Sequence, residues 1–155
     1  MFRGSTNVKK QLREAVELFE EVIIYGTERV IKSVDNPLWR EYSPEQMQSL
    51  KIINKHGPIA LGQLAAMQGV HKSAISHRLK QLDENGLIRT VKAEGDQRTK
   101  LVELTEEGRA IVEQSDKVLY DYIEQLLSDE VEEQEIEQFV KTFRKLKDVL
   151  KVKGV

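Results

Sequence analysis

The sequence predicts a mainly α fold with one small antiparallel β-hairpin. Three features lead there. Apolar residues recur at helical spacing along both ends of the chain, short capped helices crowd the middle, and two brief alternating runs flank a polar, glycine-bearing turn. Residues 8–34 read as one long helix, since Val8, Leu12, Ala15, Val16, Phe19, Val22, Ile23, Val30, Ile31 and Val34 fall at three- and four-residue steps. Gly26 is the expected bend in it. "VDNPLWREY" then breaks the pattern, because Asn-Pro signals a turn.

"SPEQ" restarts it, with Ser43 as N-cap, Pro44 at the first helical position and Gln46 closing a capping box. Met47, Leu50 and Ile53 give that helix its apolar face, and it stops near His56-Gly57-Pro58. Ile59 is read as a single short strand and residues 61–68 as a brief helix ended by Gly69. "HKSAISHRLKQLDENG" is a further helix, closed by Asn85-Gly86. "LIRTVK" and "KLVEL" are two strands joined by the turn "AEGDQRT". Thr105 caps a helix whose first turn carries Glu106 and Glu107, which favour its positive end, and which runs to about Leu127. Ser128 and "DEVEEQE" open a last helix with Ile136, Phe139, Val140, Phe143, Leu146, Val149 and Leu150 along one stripe. The middle is thus a helix-turn-helix followed by a hairpin, between long amphipathic ends.

A chain of 155 residues makes one domain, or one domain with an assembly element. A charged fraction of 32%, above the usual quarter or so, suits long exposed helices better than a sandwich. Cysteine is absent, which excludes disulfides, thiolate nucleophiles and cysteine metal sites. No stretch approaches the roughly 18 apolar residues of a membrane span, and no secretory h-region is visible, so a cytoplasmic protein without membrane contact is expected. The net charge of −2 conceals an asymmetry. Residues 71–100 hold seven Lys/Arg against four Asp/Glu, residues 101–139 two against thirteen, and residues 140–155 six against one. A polyanion would meet the first block and be repelled by the second. The basic tail Lys141–Lys153 reads as a solvated face balancing a helix C-terminus.

On a projection at 100° per residue, Ile75, Leu79 and Leu82 fall on one side of the 72–86 helix, toward Leu61 and Leu64. Ser73, Ser76, His77 and Lys80 gather opposite, with Lys72 on the flank. Such a face fits a major groove, with Ser76 and His77 at base edges and Lys72 and Lys80 at phosphates. Arg98, in a thin hairpin, suits a minor groove, with Asp96 expected to brace it by a charge-assisted hydrogen bond. His56, His71 and His77 do not share a helical face at metal-ligand spacing, and no metal or cofactor is expected. Nor is an enzyme, since the chain has no phosphate-binding glycine loop, Gly-x-Ser-x-Gly or paired-histidine motif.

"HKSAISHRLKQLDENGLI", then Asp96-x-Arg98, then "VELTEEG" resemble the winged helix-turn-helix of the MarR family of bacterial transcription regulators. The resemblance is dense over roughly residues 45–110. It implies a single domain over 1–155, with residues 43–105 as the winged DNA-binding part and 7–34 and 106–152 as the dimerisation part. It also implies a homodimer on a pseudo-palindromic duplex operator, usually repressing and often released by a small effector. Carried over by position, Lys72, Ser73, Ser76 and His77 face the major groove, and Asp96 and Arg98 form the wing. Lys80, from the helical projection, and Arg89, on the hairpin, are added to the DNA-binding set as this sequence's own candidates. The effector would lie between the end helices and the winged part, with Tyr25, Trp39, Tyr42 and Met67 as candidates. Thr90 stands where family members often carry arginine, with Arg89 beside it on the other strand face. Ser76-His77 replaces a common threonine-arginine pair. The competing reading is a winged-helix module that docks protein without specific DNA binding.

Overall fold

The computed structural model describes residues 5–151, and the divide between its two compact units falls at Asp35/Asn36. The first unit is one helix, α1 (Thr6–Ser33), which runs unbroken through Gly26. A single glycine costs a helix only about 1 kcal/mol, so it does not interrupt this one. Leu12, Val16, Phe19 and Ile23 stand exposed along it.

The second unit opens with a short helix, α2 (Leu38–Glu41), inside the segment expected to be only a turn. The Asn36 side chain accepts the Leu38 N–H at 3.1 Å at its start, and Leu38 packs on the core. Helix α3 (Pro44–His56) begins as its sequence dictates. The Gln46 N–H donates to Ser43 Oγ at 3.1 Å while the Ser43 N–H donates to Gln46 Oε1 at 2.9 Å. After β1 (Ile59–Ala60) comes α4 (Leu61–Gln68), which ends at Gly69, and then α5 (Lys72–Glu84).

At the end of α5, Gly86 sits at φ +71°, the Leu87 N–H reaches back to Leu82 O at 2.9 Å, and the Gly86 N–H to Asp83 O at 2.9 Å. A left-handed residue is needed here to satisfy the last carbonyls and turn the chain into the sheet. Strands β2 (Ile88–Ala93) and β3 (Asp96–Leu104) form the hairpin, and β1 pairs antiparallel on the far edge of β3. Helix α6 (Glu106–Leu127) is followed by α7 (Glu133–Leu150). Ser128 does not open the last helix. Glu132 does, in a capping box with Glu135. Lys153, at the end of the basic tail, lies outside the described residues.

One core holds the second unit together. Leu50, Ile53, Leu64, Ile75 and Leu82 have essentially no exposed surface, and Leu87, Ile88, Val102, Leu104 and Val112 pack with them. Each such side chain contributes about 1.5–3 kcal/mol on leaving water. The Ile75/Leu79/Leu82 side of α5 is the side drawn inward, so the opposite side must face out. Among the described residues, no helix is long and apolar enough to cross a membrane.

Candidate nucleic-acid interface

The buried stripe of α5 leaves Lys72, Ser73, Ser76, His77 and Lys80 exposed. These five residues carry amines, hydroxyls and an imidazole on one helical surface. The Ser76 hydroxyl donates to the Lys72 carbonyl at 3.3 Å, which leaves its oxygen free to accept a bond. Lys80 lies 4.0 Å from Glu84, an exposed pair too loose to hold the ammonium in place.

Polar bonds add to the packing that holds the helix. Gln46 Nε2 donates to the Arg78 carbonyl at 3.3 Å and to Gln81 Oε1 at 3.1 Å, and Gln81 Nε2 in turn donates to the Glu41 carbonyl at 3.4 Å. Asn85 Nδ2 donates to the Tyr42 hydroxyl at 2.9 Å. α5 is thus tied to α2 and α3 as well as packed on them, so the exposed face keeps its orientation. Local sequence spacing gives no sign of these bonds, because the partners lie 32 to 43 residues apart.

The hairpin is tighter than the sequence suggests. Ala93 pairs with Asp96, so only Glu94 and Gly95 make the turn, in place of all of "AEGDQRT". Lys92 pairs with Lys100, so residues 97–99 bulge from β3 between two adjacent rungs. Arg98 is the middle of that bulge and is exposed. Asp96 does brace it, but through the backbone. Its Oδ1 accepts the Arg98 N–H at 2.8 Å and its Oδ2 the Thr99 hydroxyl at 2.6 Å. These two bonds, Thr99 foremost, hold the Asp96 carboxyl below the usual carboxylate range. The backbone is clamped and the guanidinium is left to project. Arg89, beside Thr90, pairs across the ladder with Glu103, Nε to Oε1 at 2.6 Å.

A junction under the hairpin sets its angle to α5. The Thr105 N–H donates to Leu87 O at 3.0 Å, its hydroxyl donates to Gly86 O at 2.6 Å, and the same oxygen accepts the Gly108 N–H at 3.1 Å as the cap of α6. A Cβ on Gly108 would lie 2.0 Å from the Leu87 carbonyl oxygen, so only glycine lets α6 approach this closely. The spacing Leu-Thr-x-x-Gly thereby acquires a physical reason.

The four effector candidates do not behave alike. Tyr42 is buried in the core, and burial pushes its phenol above the ordinary tyrosine value. Met67 packs half-buried on the same core. Trp39, also half-buried, donates from Nε1 to Ser115 Oγ at 3.2 Å. Tyr25 stands exposed on α1, in the other unit.

The sequence model of the MarR family matches residues 42–100, from Tyr42 through the wing. The HTH-type transcriptional regulator YdgG of Bacillus subtilis (strain 168), itself uncharacterized, is 36% identical over 145 residues, which is 92% of this chain and 95% of its own length. The chain belongs to the MarR family. MarR proteins are DNA-binding transcriptional regulators and not enzymes, and the solved structures agree in fold. Streptococcus pneumoniae FabT in complex with DNA superposes with a TM-score of 0.65 at 22% identity, over 92% of this chain and 96% of that one. Staphylococcus aureus MarR in complex with salicylate and kanamycin gives 0.71 at 19% identity, over 91% and 95%.

Proposed function

We propose that this MarR protein is a homodimeric repressor that reads a pseudo-palindromic operator with α5 and the hairpin, and that a small ligand releases it. In this reading residues 43–105 contact DNA, while 7–34 and 106–152 hold two copies together. The observation that carries it is the sidedness of α5. One face is fully buried, the other offers Lys72, Ser73, Ser76, His77 and Lys80, and the Gln46–Gln81 network fixes that face in place. Ser76 and His77 read base edges, and Lys72 and Lys80 meet phosphates. Arg98 enters the adjacent minor groove, where negative potential is concentrated. Arg89 shares its charge with Glu103 through Nε and has only its remaining guanidinium N–H groups for the backbone, so its contribution is the smaller.

The FabT–DNA complex and the salicylate complex support the two halves of the reading by fold analogy. Among the effector candidates, Trp39 combines a partly open ring with a fixed indole N–H, and so is the first to test. A repressor works where the chromosome is, in the cytoplasm.

Two expected results test the contacts. Arg98→Ala lowers affinity for a selected operator roughly 10-fold to 100-fold without changing thermal stability, by band shift and melting. Unchanged affinity removes the wing from the mechanism. Ser76→Ala and His77→Ala shift sequence preference more than they weaken binding to random duplex. Equal loss on both DNAs means that these side chains only position the helix.

A further inference from the structure

The hairpin ladder changes character along its length. Near its base, Arg89 faces Glu103 and the two are bonded at 2.6 Å, a self-neutralised rung. Three rungs on, toward the tip, Lys92 faces Lys100. Side chains directly opposite in an antiparallel pair have Cβ atoms about 4.5–5.5 Å apart, and like charges there repel. Both lysines are exposed, and among the described residues no carboxylate forms an ion pair with either. The nearby acid of the bulge, Asp96, is already occupied by Arg98 N and Thr99 Oγ1. The end of the hairpin, whose turn also holds the exposed Glu94, therefore gathers Lys92, Arg98 and Lys100, and among the described residues neither lysine is held in an ion pair. A hairpin serving only to finish a sheet gains nothing from such a rung, which weakens the ladder in the free protein.

We propose that Lys92 and Lys100 form a phosphate clamp on the shaft of the wing, gripping the duplex backbone beside the groove that Arg98 enters. This rests on the DNA-binding reading above and adds two residues to it. An anionic oxygen set between two ammonium groups turns their mutual repulsion into shared attraction. The clamp is thus strained without DNA and relaxed with it. It reads no base, so it acts on every sequence alike, and it fixes how deep the hairpin sits.

The test uses the full-length protein and a random-sequence duplex. Affinity is measured across a salt series for the unchanged chain, for K92Q/K100Q and for K92R/K100R. Each phosphate neutralised contributes about 0.9 to the slope of log K against log salt, so K92Q/K100Q, which empties the one phosphate that the two lysines share, should lose about 0.9 of slope per chain while K92R/K100R keeps it. Melting separates this from damage to the fold, since K92Q/K100Q relieves repulsion and should melt at or above the temperature of the unchanged chain. The single variant K92E, which faces Lys100 with an acid, should melt higher still and bind DNA more weakly. A K92Q/K100Q slope equal to that of the unchanged chain overturns the clamp and leaves the DNA-binding reading standing. So does a loss of binding matched by a lower melting temperature in K92E as well as in K92Q/K100Q. Salt-independent or absent binding by the unchanged chain overturns the DNA-binding reading itself.

Discussion

Replacing Phe139 and Phe143 together by glutamate is expected to leave the protein monomeric and to weaken DNA binding about 100-fold or more, because two tethered reading heads bind with an avidity that one lacks. The two rings stack on α7 with centroids 4.2 Å apart. They belong to a stripe in which Ile136, Val140, Leu146 and Leu150 are also exposed. No α7 residue is buried. A helix this apolar along one side and this bare is stabilised when a second copy covers it, at about 25 cal/mol per Å² removed from water. A carboxylate in the middle of that contact would lose its hydration without gaining a partner, a cost of several kcal/mol. Light scattering should show the mass fall from two chains to one, with helical content retained. A variant that stays dimeric would move the subunit contact off α7.

The second large effect is on stability. Gly108→Ala should destabilise the fold by about 2–3 kcal/mol, the upper part of the range for overpacking, and lower the melting temperature by roughly 10 °C. Alanine is the better helix former, so propensity alone predicts the opposite sign. The clash decides it: the new Cβ would lie 2.0 Å from Leu87 O, and neither partner is the end of a flexible side chain. To relieve it, α6 must lift away from the start of β2. That would also strain the Thr105 bonds to Gly86 and Leu87. Gly62→Ala is the internal control. It lies in α4 with nothing within 4 Å of its Cβ position, and should stabilise by about 0.4–1 kcal/mol. Equal effects at the two sites would mean that the close approach of α6 to Leu87 is not present in solution.

The helices are legible in the sequence because their signals are local. Ser43-Pro44-Gln46, Asn85-Gly86 and Thr105 with Glu106-Glu107 each specify a boundary within a few residues, and the boundaries fall there. The inward side of α5 is legible for the same reason, from a 3.6-residue period. Sequence and structure part where the deciding contact is not periodic. Helix α2 is started by a side-chain bond from Asn36 and held by Leu38 on the core and Trp39 on Ser115, contacts with no local period. The strand reaching to Asp96 has no apolar alternation at its tip, and is held by ladder bonds and the Asp96 clasp. The Arg89–Glu103 and Lys92–Lys100 rungs need the register, which a polar turn of undefined length conceals. The Gln46–Gln81 network needs the tertiary fold. Half of the candidate interface, the exposed face of α5, can therefore be read from sequence. The wiring of the wing cannot.

Selection of bound fragments from genomic DNA tests the central claim most directly. Two copies presenting α5 and the hairpin side by side should enrich fragments that share an inverted repeat, with half-sites centred about 10–10.5 base pairs apart, one turn of the duplex. Fragments with no common sequence, or a single unrepeated half-site bound as tightly as the pair, would contradict it.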